Sequence, residues 1–173
     1  MNELLPPKRI LIVFAAGAAV FCACLAPSPG ALLYFAALCL LFLIAWIDAR
    51  TQEIYDLMSL ALAVCGVLAI FVIPQVSLSE RLAGAGIGSL PALAFSLLTR
   101  GGVGLGDVFL LAAAGLLLGW RGMLSALIIG CLLGGAFAAL LLLTKRRSRK
   151  DSVPFAPPLC IGVAAALFLP PFF

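Results

Sequence analysis

Residues 31–50 read ALLYFAALCLLFLIAWIDAR, an uncharged run from Ala31 to Ile47 that closes on Asp48 and Arg50. A helix lying on a water-soluble core shows one polar face, whereas this run is apolar all round, the mark of a helix whose surroundings are lipid or protein interior. Backbone N–H and C=O groups left unpaired in hydrocarbon are too costly to keep, so a spanning segment must close its hydrogen bonds within itself as a helix. Such a span takes about 17–25 apolar residues. The run just meets that length, and it carries a carboxylate to the point where the apolar stretch stops.

The rest of the chain repeats the pattern. Lys8 and Arg9 precede Ile10–Ala26, which the group Pro27, Ser28, Pro29 and Gly30 terminates. A cleaved signal sequence is the competing reading of this first run, but the run exceeds the ~7–15 residues of such a core. Further spans are expected at Leu57–Ile73, ending on Pro74, and at Leu82–Leu98. The stretch Val108–Leu118 is too short to cross alone, and its glycine-rich approach and Asp107 are expected at or below the headgroups. Met123–Leu143 and a proline-bounded segment from Pro154 to about Leu169 complete the set. The fold class expected is all-α: one polytopic transmembrane bundle of about seven short helices, a single domain over residues 1–173.

Composition agrees. Hydrophobic residues make up 65% of the chain and charged residues 10%, against about a quarter charged in soluble domains, so a water-exposed surface cannot be built and lipid is the expected partner. The net charge of +4 does not point to nucleic acid, because Lys145, Arg146, Arg147, Arg149 and Lys150 form one run between two apolar stretches. Basic residues gather in short cytoplasmic loops. With the N-terminus inside, Lys8, Arg9, Arg50, Arg100 and the basic run lie inside, and only Arg81 and Arg121 lie outside. Asp48 then ends an inward-going helix and Asp107 starts an outward-going one, so both reach the cytoplasmic face. The six cysteines, Cys22, Cys24, Cys39, Cys65, Cys131 and Cys160, all fall in apolar segments without a Cys-x-x-Cys pair, and there is no histidine. They are read as buried thiols, with no disulfide, metal or cofactor expected.

Seven acids exist. Glu3, Glu53, Glu80 and Asp151 are explained as solvated or paired, and Asp56, just ahead of an apolar helix, as its N-cap. Asp48 and Asp107 remain. Each taken alone could be a helix-end acid; together they are what an acid protease needs, two carboxylates sharing a proton, one activating water while the other protonates the scissile carbonyl. Gly104 and Gly106 beside Asp107 permit backbone conformations and close approaches that would let an extended substrate strand reach the carboxylate; a packing turn is the alternative. Gly84–Gly88 and Gly130–Gly134 have small-xxx-small spacing, expected to serve packing within the bundle, and Pro91 is expected to kink its helix.

Trp46-Ile47-Asp48-Ala49-Arg50, the downstream Ile54, and Gly104-Leu105-Gly106-Asp107-Val108-Phe109-Leu110-Leu111 resemble the type IV prepilin peptidase family over about residues 38–143. Val153-Pro154-Phe155-Ala156-Pro157 is similar to a Pro-Phe-Gly-Pro element near that family's end. The sequence departs from the family pattern at Tyr55-Asp56, where Pro-Asn is usual, and at Phe109, where lysine is usual. It also has no cysteine-rich insert of the kind found in longer members that methylate the product. The resemblance implies an intramembrane aspartic endopeptidase of the inner membrane with Asp48 and Asp107 catalytic on the cytoplasmic side. It implies as partner a prepilin or pseudopilin precursor, cleaved after the glycine that ends its basic leader. Three rivals stand beside it: a presenilin-type protease sharing Gly-x-Gly-Asp, a small proton- or cation-coupled transporter using the same two acids, and an inactive assembly homologue.

Overall fold

A computed structural model of the chain describes residues 6–24, 29–52, 55–98, 104–144 and 156–168. Every element in them is helical: α1 (Lys8–Cys24), α2 (Pro29–Thr51), α3 (Asp56–Val72), α4 (Leu78–Leu98), α5 (Leu105–Leu143) and α6 (Ala156–Ala166). α5 is two helices in one ribbon, because Gly119 (φ 73°, ψ 176°) breaks it. That left-handed φ is open to glycine at no steric cost. The break falls between the two segments the apolar pattern separates, so the described helical segments match the expected bundle of about seven.

Three helical runs, Gly30–Thr51, Leu78–Leu98 and Leu105–Leu140, are long and apolar enough to cross a membrane. The protein is a multi-pass membrane protein. α1 and α3, at 17 residues each, extend only about 25 Å.

The core forms where α2, α3, both arms of α5 and α6 meet, through Leu41, Ile44, Leu62, Leu110, Met123, Leu159 and Val163. α1 packs on α2 at the edge of the core, contributing Ala18, with Phe14 stacked on Phe42 at 4.1 Å between ring centroids. Glycine sets the closest approaches. A Cβ on Gly84 would stand 2.6 Å from the Gly115 carbonyl oxygen, one on Gly88 2.8 Å from that of Leu111, and one on Gly162 2.8 Å from the Gly130 nitrogen. The Gly84–Gly88 spacing therefore serves internal packing, as does Gly130. α4 passes unbroken through Pro91.

Two polar devices hold the end of the bundle away from Asp107. Ser77 and Glu80 form a capping box at the start of α4: the Ser77 N–H donates to Glu80 Oε2 at 2.9 Å and the Glu80 N–H to Ser77 Oγ at 3.3 Å. Arg81, which the charge pattern marks as an outside loop charge, is completely buried. Its five N–H groups donate to five carbonyl oxygens: Val76 (3.3 Å), Leu116 (3.0 Å), Leu117 (3.0 Å), Ala69 (2.9 Å) and Ile73 (2.8 Å). Val76 lies in the turn between α3 and α4, and the other four carbonyls lie at the C-terminal ends of α3 and of the first arm of α5, where the macrodipole favours a cation.

The other sequence expectations meet mixed outcomes. Asp56 is not the N-cap of α3. Tyr55 holds that position without a side-chain bond, and Asp56 is the exposed first helical residue, where the dipole still favours an anion. Of the described thiols, Cys65 and Cys160 are buried and Cys39 is half-buried, but Cys131 is exposed on the second arm of α5. The basic run 145–150, Arg100, Glu53, Ile54 and Pro154-Phe155 lie outside the described residues.

Candidate functional site

Asp48 continues the buried stripe of α2. Ala37, Leu41 and Ile44 recur at i, i+4 and i+7, and the next position on that face is Asp48, only 5% exposed. Asp107 occupies the matching place on α5, below Leu110, Ala114 and Leu117, in the helix's first turn. Each carboxylate thus replaces the apolar residue that would have ended its stripe, and the stripes face one core. The two side chains, 59 positions apart in sequence, stand within electrostatic reach of one another.

Their surroundings differ. Asp48 Oδ2 accepts the backbone N–H of Ala156 at 3.1 Å, so the start of α6 rests on the carboxylate. Asp107 Oδ1 is buried without a hydrogen-bond partner, and the Asp107 N–H donates to the Gly104 carbonyl at 3.1 Å. Among the described residues, a Cβ at Gly104 would come no closer than 4.0 Å to another atom, the distance to Asp107 Oδ2. Among the described residues only Gly119 is a glycine with positive φ, so Gly104 and Gly106 do not use the conformational freedom expected of them. What Gly104 contributes is room.

Sequence reasoning gave α6 no role at this site. Beside the likeness of Val153–Pro157 to the family's Pro-Phe-Gly-Pro element, a local signal lay in Ala156-Pro157-Pro158, a helix start in which the two prolines have no N–H and leave Ala156 as the donor. Cys160, one turn further on, is buried and within electrostatic reach of both carboxylates. Where the sequence departs from the family pattern, Tyr55 and Phe109, the side chains are exposed.

The neighbouring helices run past the pair. Gly88 packs on Leu111, so Asp107 lies level with about residue 92 of antiparallel α4, which continues to Leu98, about 9 Å further. Gly130 packs on Leu159 and Gly162 on Ala126. Ala156 is therefore level with about residue 133 of α5, whose second arm continues about 15 Å more, to Leu143. The ends of α4 and of the second arm of α5 thus extend past the level of the carboxylates, because the helices stop at staggered depths.

Residues 34–139 match the Type IV leader peptidase family. The chain is 35% identical over 166 residues to the prepilin leader peptidase/N-methyltransferase of Dickeya chrysanthemi, covering 92% of this chain and 59% of that protein. It is 33% identical over 148 residues to the protein of the same name from Aeromonas hydrophila, covering 83% and 51%. The Bacillus subtilis protein of that name is 36% identical over 81 residues, covering 47% and 33%. The chain thus spans between about a third and three-fifths of the length of these relatives. No solved structure matches it.

Proposed function

The chain belongs to the Type IV leader peptidase family, and from that premise we propose that it is an aspartic endopeptidase that removes the basic leader of a type IV pilin-like precursor, with Asp48 and Asp107 as the catalytic pair. The observation that carries this reading is the convergence of those two carboxylates at one buried site. Two adjacent carboxylates hold one proton between them, since both charges cannot be carried side by side at low cost. One takes a proton from water as its oxygen attacks the scissile carbonyl carbon, and the other gives its proton to the carbonyl oxygen. Collapse of the resulting diol breaks the C–N bond and returns a proton to the leaving amine. The stagger of the helices supports the same chemistry: the apolar ends of α4 and of the second arm of α5 extend past the carboxylates, where they would flank the precursor's apolar segment.

The membrane is the inner (cytoplasmic) one and the active site faces the cytoplasm. The support is the basic run 145–150, which follows α5 and fixes the inside end of that helix by the positive-inside rule. The proposal covers the peptidase reaction alone.

The test is processing of a pilin precursor by membranes containing each variant, with variant abundance measured in parallel. Asp48→Asn or Asp107→Asn keeps the side chain's size, removes its titratable proton, and is expected to abolish cleavage while the protein remains inserted. Asp56→Asn, at an exposed helix start, is expected to process as the parent does. Substantial cleavage by either of the first two variants would refute the pair, and loss confined to Asp56→Asn would move the first catalytic acid to Asp56.

A further inference from the structure

The Asp48–Ala156 contact joins residues 108 positions apart, and the sequence on the α6 side is suited to it in three ways. Ala156 is completely buried, so a longer side chain at this position would have to displace the core or the carboxylate. Pro157 and Pro158 have no N–H and fix their own φ, which makes the first turn of α6 stiff and leaves a single amide to point along the helix axis. The dipole of α6, an 11-residue helix, adds positive potential at that amide. A carboxylate oxygen bound to it is held in one rotamer. Asp107 Oδ1, by contrast, is buried and unpartnered.

We propose that the first turn of α6 is the positioning element of the catalytic pair, with the Ala156 amide engaging Asp48 Oδ2 so that Oδ1 is the oxygen presented to water and to Asp107. Ala156 touches no reacting atom; it acts through Asp48. Cys160, on the same face one turn later, places a buried thiol within electrostatic reach of both carboxylates. The pair is thereby built from three separate regions of the chain: the end of α2, the start of α5 and the start of α6.

This inference rests on the peptidase reading, and its test separates the two. Replacing Ala156 by its α-hydroxy analogue through nonsense suppression exchanges the amide for an ester, deleting the N–H while keeping the methyl group and the helix path. In detergent-solubilised protein with a fluorogenic leader peptide, kcat is expected to fall about ten- to a hundredfold, the range for loss of one hydrogen bond to a charged group. KM and thermal unfolding should stay near the parent's, and the pH–kcat profile should move, because the deleted donor contacts a titrating partner. Ala156→Gly, which keeps the N–H, should lose less kcat than the ester protein and keep the shape of the parent pH profile. An ester protein with unchanged kcat and pH profile, in a preparation where Asp48→Asn is inactive, would overturn the positioning role and leave the peptidase reading intact. Equal loss of kcat in the ester and Ala156→Gly proteins, tracking lost thermal stability, would also overturn it and make the contact a packing feature. Activity in Asp48→Asn would instead remove the reading on which the inference rests.

Discussion

Replacing Arg81 by Lys or Met measures what a buried cation held by backbone carbonyls does in a helix bundle. In the native protein five N–H groups meet five carbonyl oxygens at 2.8–3.3 Å. Lys keeps the charge but offers three N–H groups from one nitrogen. Ala69 also accepts the Ile73 N–H at 2.9 Å, so three donors for the four other carbonyls leave at least one unpaired even with perfect placement. A buried acceptor stripped of its donor costs about 1–3 kcal/mol, so Arg81→Lys should cost about 1–3 kcal/mol. Met has a comparable stem and no donor, so all five carbonyls lose the guanidinium, Ala69 alone keeping the Ile73 N–H, and two helix ends lose their cation, for about 4–6 kcal/mol. Against a total stability of about 5–15 kcal/mol, the Met protein should be close to unfolding. The assay is unfolding in dodecyl maltoside micelles by SDS titration, followed by fluorescence, to which Trp120 beside the Gly119 break contributes. Arg81→Lys within about 0.5 kcal/mol of the parent, or Arg81→Met more stable than Arg81→Lys, would refute the account.

Two other expectations follow from packing and charge. Gly115→Val should cost about 3 kcal/mol or more, because its Cβ would run into the Gly84 backbone, whereas Gly135→Ala, with nothing within 4 Å of the added carbon, should be neutral or slightly stabilising; equal unfolding midpoints would remove the glycine-contact argument. A reporter fused at Ser148 should give cytoplasmic signals in a paired phosphatase and fluorescence assay, and a periplasmic result would invert the orientation and with it the leader-cleaving geometry.

The helices were legible because hydrocarbon makes secondary structure a local matter: each apolar run must satisfy its own backbone, so its length and breakers are nearly sufficient. The break near residue 119 was legible in the same way, from Gly119 and Gly122 flanking Trp120 and Arg121 between two apolar segments. Asp48 and Asp107 were legible as the acids adjoining spans that no solvated loop or helix cap explained. Asp56 was misplaced by one position, since a residue that suits an N-cap also suits the first helical turn, and only backbone angles separate them. Arg81 was misread for a deeper reason. Positive-inside statistics treat a basic residue between spans as solvated, and nothing local shows that the carbonyls of Ala69 and Leu116 will arrive at its guanidinium.

By itself, then, the sequence determined what each segment is: an apolar helix, a glycine contact face, an acid at the end of an apolar run. The tertiary structure decided which segments meet. The Ala156 amide reaches Asp48 across 108 positions, and Arg81 reaches Leu116 and Leu117 across 35 and 36. Such pairings depend on how helices of unequal length stagger and cross. That stagger is set by where backbones can approach, at Gly84 against Gly115 and at Gly130 against Gly162. It therefore belongs to pairs of helices, and no single run of sequence contains it.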